Sequence, residues 1–152
     1  MLIRKGLDYM TQHDGYDREA LSKYRMDTAK EDLKGAEILF NAGEYRMANN
    51  RAYYAIFHAI SAIHALDGNA YKRHKDAIAN FNKNYVKTEI FPRETGHMIS
   101  KVELIRHASD YDDFYVASKE ETSETIESAR NFLDRVDIYI DNRIKQSNQV
   151  SE

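Results

Sequence analysis

No cysteine occurs among the 152 residues, so disulfides and thiolate zinc sites are excluded, and the composition gives no sign of an oxidising compartment. Proline occurs once and glycine six times, and no stretch reads as a linker, which leaves a single domain with enough mass to bury a core. No apolar run approaches the roughly 18 residues that span a bilayer. The first residues also lack a hydrophobic signal core, so the expectation is a cytoplasmic protein without membrane contact. The net charge of −3 gives no global attraction to nucleic acid. Any such binding has to come from a local patch or from a site for one phosphate. There is no Gly-rich phosphate loop, no Gly-x-Ser-x-Gly elbow, no internal repeat and no low-complexity tract.

What is present is helical periodicity almost throughout. A first helix is expected over about 17–41, ended by Gly43, and a second over about 44–66, turned by Asp67-Gly68. In the second, Ala48, Ala52, Ala55, Ala59, Ala62 and Leu66 form a narrow strip of small side chains that lets another helix approach closely. Tyr53, Ile56, Ile60 and Ile63 supply bulk beside it. A third helix is expected over about 74–87, with Ile78, Phe81 and Tyr85 on one face. Phe91-Pro92 breaks the pattern, and a fourth follows over about 93–109 with Ile99, Val102 and Ile105 inward. Ser118 and Glu121 fit a capping box opening a last helix to about 145, whose buried stripe is Ile126, Ala129, Leu133, Val136 and Ile140. Glutamates at its start suit the helix dipole. Residues 1–16 and 146–152 lack periodicity and are expected to be disordered around a helical domain of 17–145. The fold class is all-α: an antiparallel up-and-down bundle of four core helices plus a shorter one.

The most informative segment is the octet 51–58, Arg-Ala-Tyr-Tyr-Ala-Ile-Phe-His. Seven positions are almost two helical turns, so Arg51 and His58 share one face with Cα atoms about 10.5 Å apart, and Tyr54 lies between them. A guanidinium and an imidazole at that spacing can close over a phosphate. In an arbitrary helical protein such a pair is more often a solvated face or a satisfied polar pair. The run Tyr71-Lys72-Arg73-His74-Lys75 is the densest cationic segment, either a solvated helix start or an RNA-backbone contact. Glu94 and His97 have the Glu-x-x-His spacing of carboxylate-bridged iron sites, but such sites need two copies and further glutamates, so no metal and no cofactor is expected.

The run Asn50-Arg51-Ala52-Tyr53-Tyr54-Ala55-Ile56-Phe57-His58-Ala59 resembles the second-helix signature of the HEPN (higher eukaryotes and prokaryotes nucleotide-binding) superfamily of small helical bundles. Two further segments are similar to compact stand-alone bacterial and archaeal members: His74-Lys75-Asp76-Ala77-Ile78 continuing through Phe81-Asn82-Lys83-Asn84-Tyr85-Val86-Lys87-Thr88, and Arg106-His107-Ala108-Ser109-Asp110-Tyr111. The resemblance spans about 28–142. It implies a metal-independent endoribonuclease of toxin or defence type, with Arg51 and His58 as the catalytic pair, often assembled near a dimer axis. Asn50, Tyr54, Arg106, Asp110 and Tyr111 are then supporting residues, and Lys72, Arg73, His74 and Lys75 candidate contacts to the RNA backbone. It leaves an alternative, a non-catalytic module that binds a small nucleotidyltransferase partner or a nucleotide. Ala52 stands where the family often has a polar residue, and Ile60 where one toxin subgroup has a tyrosine, so modification of that tyrosine does not carry over. RNA and a second copy of the chain are the expected partners.

The residue types suit the chemistry. Cleaving RNA without a metal requires the ribose 2′-hydroxyl to lose a proton, the leaving oxygen to gain one, and the phosphorane charge to be neutralised. Histidine carries protons near neutral pH, and arginine is shaped for bidentate phosphate contact. One histidine does not serve as base and acid at once. A second His58 from a dimer partner, Tyr54 or a water would fill the other role.

Overall fold

The computed structural model describes the backbone of residues 2–150 and the side chains of residue 15 and residues 17–149. The order is α1 (Leu2–Asn41), α2 (Tyr45–Leu66), α3 (His74–Phe81) with a π-helical turn (Asn82–Val86), α4 (Arg93–Tyr111) and α5 (Lys119–Val150). No strand occurs among the described residues, so the chain is an all-α bundle of four long helices and one short one. None of these helices is long and apolar enough to cross a membrane.

The longest helix–helix seam joins α1 to α2, and its sequence cause is side-chain size. Ala29 and Ala36 on α1, and Ala48, Ala52, Ala55, Ala59 and Ala62 on α2, are all fully buried. Ridges of methyl groups let two backbones approach closely. The small-residue strip of α2 is therefore consumed within the protomer and is no free surface for a second copy. The turn between them is a Schellman motif: the Glu44 N–H donates to the Leu39 carbonyl at 2.9 Å and that of Gly43 to Phe40 at 3.0 Å, with Gly43 at φ 78°. Gly68, at φ 74°, closes α2 in the same way through Asn69 N–H to His64 O at 3.0 Å. A side chain at either glycine would sit in a conformation that L-residues rarely adopt.

The apolar stripes fall where the period puts them. Ile56, Ile60, Ile63, Ile78, Phe81, Tyr85, Ile99, Val102, Ile105, Ile126, Ala129, Leu133, Val136 and Ile140 are all buried. Phe81 anchors an aromatic cluster, with ring centroids 5.5 Å from Tyr85, 5.3 Å from Phe91 and 5.8 Å from Phe132.

Three local expectations are corrected. First, α1 begins at Leu2 and α5 continues to Val150, beyond the 17 and 145 boundaries. Residues 1, 151 and 152 of the expected disordered ends lie outside the described residues. Second, the third helix does not stay α-helical to 87: it passes at Asn82 into a π turn closed by Lys87 N–H to Asn82 O at 2.9 Å. Asn82 and Asn84 are weak helix formers, and the Tyr85 carbonyl instead accepts from Phe91 N–H at 2.8 Å, ending the helix. Third, only half the capping box forms. Ser118 Oγ accepts from the Glu121 N–H at 3.0 Å, whereas the Glu121 carboxylate turns to the Tyr115 hydroxyl. That pairing and burial push the Tyr115 phenol up to about 12, burial being the larger cause.

Candidate functional site

Arg51 and His58 project from one face of α2, and a third residue joins them. Asp32, one-eighth exposed on α1, places Oδ1 3.1 Å from Arg51 Nη1 and Oδ2 2.7 Å from His58 Nδ1. An ionised carboxylate only accepts, so the His58 Nδ1–H donates to it, and Nε2 is the nitrogen left for a substrate. The imidazole side chain is 30 % exposed and the guanidinium side chain 42 %, so both stay within reach of a ligand.

A second set of contacts orients the arginine. Asn50 Oδ1 accepts from Arg51 Nη2 at 3.2 Å, while Asn50 Nδ2 donates to Asp110 Oδ2 at 2.6 Å. The same Asp110 oxygen lies 3.1 Å from Arg106 Nε, and Arg106 Nη2 donates to the Tyr54 hydroxyl at 3.3 Å. Tyr54 thus lies between two guanidiniums, with Arg51 4.7 Å and Arg106 5.7 Å from its ring centre. Tyr111 borders Arg106, at 5.7 Å from its ring centre, and the His107 ring, at 4.9 Å, and is otherwise exposed. The α4 end that carries Asp110 is fixed against α2 by Arg46, which donates to the carbonyls of Ser109 at 2.8 Å and Asp112 at 2.9 Å. The Ser109 carbonyl is one of the orphan acceptors of a helix C-terminus.

The cationic run divides. Lys72, Arg73 and Lys75 are exposed, Arg73 lying 4.0 Å from Asp76. His74, the first residue of α3, turns inward: its ring stacks on Phe57 at 3.8 Å and 22°, meets the edge of Tyr54 at 5.7 Å, and sets Nδ1 3.0 Å from the Tyr53 hydroxyl. Burial, then the charges of Arg106 and His58, hold His74 below its ordinary value. Burial is also the first cause that pushes the Tyr53 phenol up to about 12. His64 is a core residue whose Nε2–H donates to the Ala77 carbonyl at 2.8 Å. Glu94 and His97 are exposed on α4. Ala52 is fully buried, so position 52 cannot touch a ligand on the Arg51 face.

Two cavities flank the pair. One of about 570 Å³ opens beside Arg51, between Met47, Asn50 and Asp110, and one of about 240 Å³ lies on the other side, bounded by Arg25, Phe57, His58 and Tyr71.

Sequence reasoning missed Asp32, Arg46 and the inward turn of His74. Asp32 carried a usable signal. It stands three residues after Ala29 and four before Ala36, on the buried face of α1, where a carboxylate needs a partner.

An all-helical bundle carrying an Arg–His pair on its second helix defines a class, and comparison with known proteins agrees. Residues 22–139 match the HEPN domain model, and the chain belongs to the HEPN domain family. It is 29 % identical over 125 residues to a UPF0332 protein of Thermotoga maritima, covering 82 % of this chain and 95 % of that one. It is 33 % identical over 111 residues to a Methanocaldococcus jannaschii protein named "Putative toxin", covering 73 % and 82 %. A second protein of that archaeon with the same designation is 26 % identical over 115 residues, covering 76 % of this chain and 78 % of its own length.

Proposed function

We propose that the protein is a metal-independent RNA endonuclease of toxin type, with Arg51 and His58 at its site. The observation that carries this reading is the single carboxylate of Asp32, which fixes both residues on one open face with His58 Nε2 uncommitted. Arg51 contributes charge to the phosphorane, since a guanidinium fork matches phosphate oxygens. His58 moves a proton. A strand laid along α2 sets one nucleotide toward each flanking cavity, with its phosphate between them. The toxin designation of the two archaeal relatives supports the class.

Incubation of the purified protein with total RNA in excess chelator is expected to give cleavage, with 2′,3′-cyclic phosphate ends because the ribose hydroxyl is the nucleophile. DNA, lacking that hydroxyl, is expected to be inert. A requirement for magnesium would overturn the mechanism.

We also propose a homodimer. The alanine strip is not available for it, but Met47, Leu104, Tyr111, Phe114 and Val116 are exposed apolar groups on α2, on α4 and in the connection after it, and Met47 and Tyr111 border the Arg51–Arg106 end of the site. A two-fold contact there brings two sites together. Light scattering at tens of micromolar is expected to give twice the protomer mass; a monomer would count against it.

The same rim favours a second reading, a non-catalytic module that docks a nucleotidyltransferase or holds a nucleotide. Phe114 is 94 % exposed and Val116 84 %, a costly display for an isolated protein. Wild-type protein that leaves RNA intact would select this reading.

A further inference from the structure

We propose that His74 is the second proton carrier of the site, accepting the proton of the ribose 2′-hydroxyl while His58 delivers one to the leaving oxygen. The inference rests on the endonuclease reading above. It places a complete acid–base pair in one chain, with no need for a second copy to supply the missing role.

The geometry assigns the roles. His58 and His74 share two ring neighbours: Tyr54 lies 6.1 Å from the first and 5.7 Å from the second, and Phe57 lies 5.7 Å and 3.8 Å away. His58 meets the Asp32 carboxylate through Nδ1, so Nε2 is the nitrogen it has for the leaving oxygen. His74 faces a phenol, with Arg106 close enough to disfavour a standing positive charge. In the productive tautomer the His74 Nδ1–H donates to the Tyr53 hydroxyl oxygen, which leaves the lone pair on Nε2. Tyr53 stays a phenol at neutral pH, its acidity pushed to about 12. The Phe57 stack fixes the plane of the ring.

His74 Nε2 takes the 2′-hydroxyl proton as that oxygen bonds to phosphorus. The bond from phosphorus to the 5′-oxygen breaks, and the leaving oxygen takes a proton from His58 Nε2. The products are a 2′,3′-cyclic phosphate and a 5′-hydroxyl, and exchange with water resets both imidazoles. Arg51, already held by Asp32 and Asn50, faces the phosphoryl oxygens.

The test compares His74→Ala and His58→Ala on an RNA oligonucleotide that the wild type cleaves, and on the same oligonucleotide with sulfur replacing the leaving 5′-oxygen. A thiolate leaves without an acid. His74→Ala is expected to slow both substrates by about 10²–10⁴-fold, the usual contribution of general acid–base transfer, whereas His58→Ala slows the oxygen substrate by that factor and largely spares the sulfur one. Imidazole added to the buffer is expected to restore part of the His74→Ala rate, which a merely structural role would not allow. His74→Asn, which keeps a polar planar group at the start of α3, is expected to be as slow as His74→Ala and to keep the wild-type helical signal. His74 variants that cleave both substrates at wild-type rates would overturn the inference alone. Loss on RNA with the sulfur substrate spared would overturn the assignment of base to His74. Wild-type protein that cleaves neither substrate would overturn the endonuclease reading and this inference with it.

Discussion

His58→Ala and Arg51→Ala are each expected to remove most RNA cleavage while the far-UV signal and the assembly state stay as in the wild type. Losing general acid–base transfer costs about 10²–10⁴-fold. Losing a donor that stabilises developing charge costs roughly 10²–10³-fold. Neither change empties core volume, because both side chains are partly exposed. In each single variant Asp32 also keeps one of its two partners. The double variant differs, since it strands a carboxylate that is only 12 % exposed, and an unpaired buried charge is destabilising. Adding Asp32→Ala to the double variant is therefore expected to recover thermal stability without recovering activity. Cleavage rates on one oligonucleotide and melting curves on the same samples decide both points. Undiminished cleavage by the two single variants would place the activity elsewhere.

Phe81→Ala is expected to be the most damaging single truncation in the bundle. Phe81 is fully buried, and its ring meets those of Tyr85, Phe91 and Phe132, drawn from the π turn, the loop before α4 and α5. Large-to-small changes at such positions cost about 3–5 kcal/mol, the transfer energy plus the cavity that rigid neighbours leave behind. For a chain of this length each kcal/mol lowers Tm by about 2–4 °C, so a fall on the order of 10 °C follows. Ile138→Ala is the control: the side chain is 62 % exposed on α5, and surface truncations usually stay within about 0.5 kcal/mol. Calorimetry on the two variants separates them. Equal melting temperatures would mean that the aromatic cluster is not the keystone of the α3 side.

What the sequence made legible is what a period of 3.6 encodes. The face of each helix that goes inward follows from the spacing of Ile56, Ile60 and Ile63, or of Leu133, Val136 and Ile140, and the family signature placed Arg51 and His58 on a shared face. The period does not say how a neighbouring helix is rotated. Asp32 meets Arg51 and His58 only because α1 packs in one register against the alanine strip, a contact between residues 19 and 26 positions apart. His74 was hidden for another reason. It sits among Lys72, Arg73 and Lys75, whose charge dominates the segment, while its own direction depends on how the chain after Gly68 rejoins the bundle at the start of α3. The capping motif at Ser118 was legible to the extent that its hydroxyl serves the helix, and misleading for Glu121 because Tyr115 competes for the carboxylate.

Asp32 also ties the readiness of the site to the closure of one seam. Its two oxygens reach from α1 to two residues on α2, so any opening of the α1–α2 hairpin breaks both contacts together and releases the guanidinium and the imidazole in one event. Amide exchange along that hairpin and the fraction of sites with both residues held then become two readings of a single equilibrium, and a ligand that wedges the two helices apart would free both side chains without occupying the open face that they share.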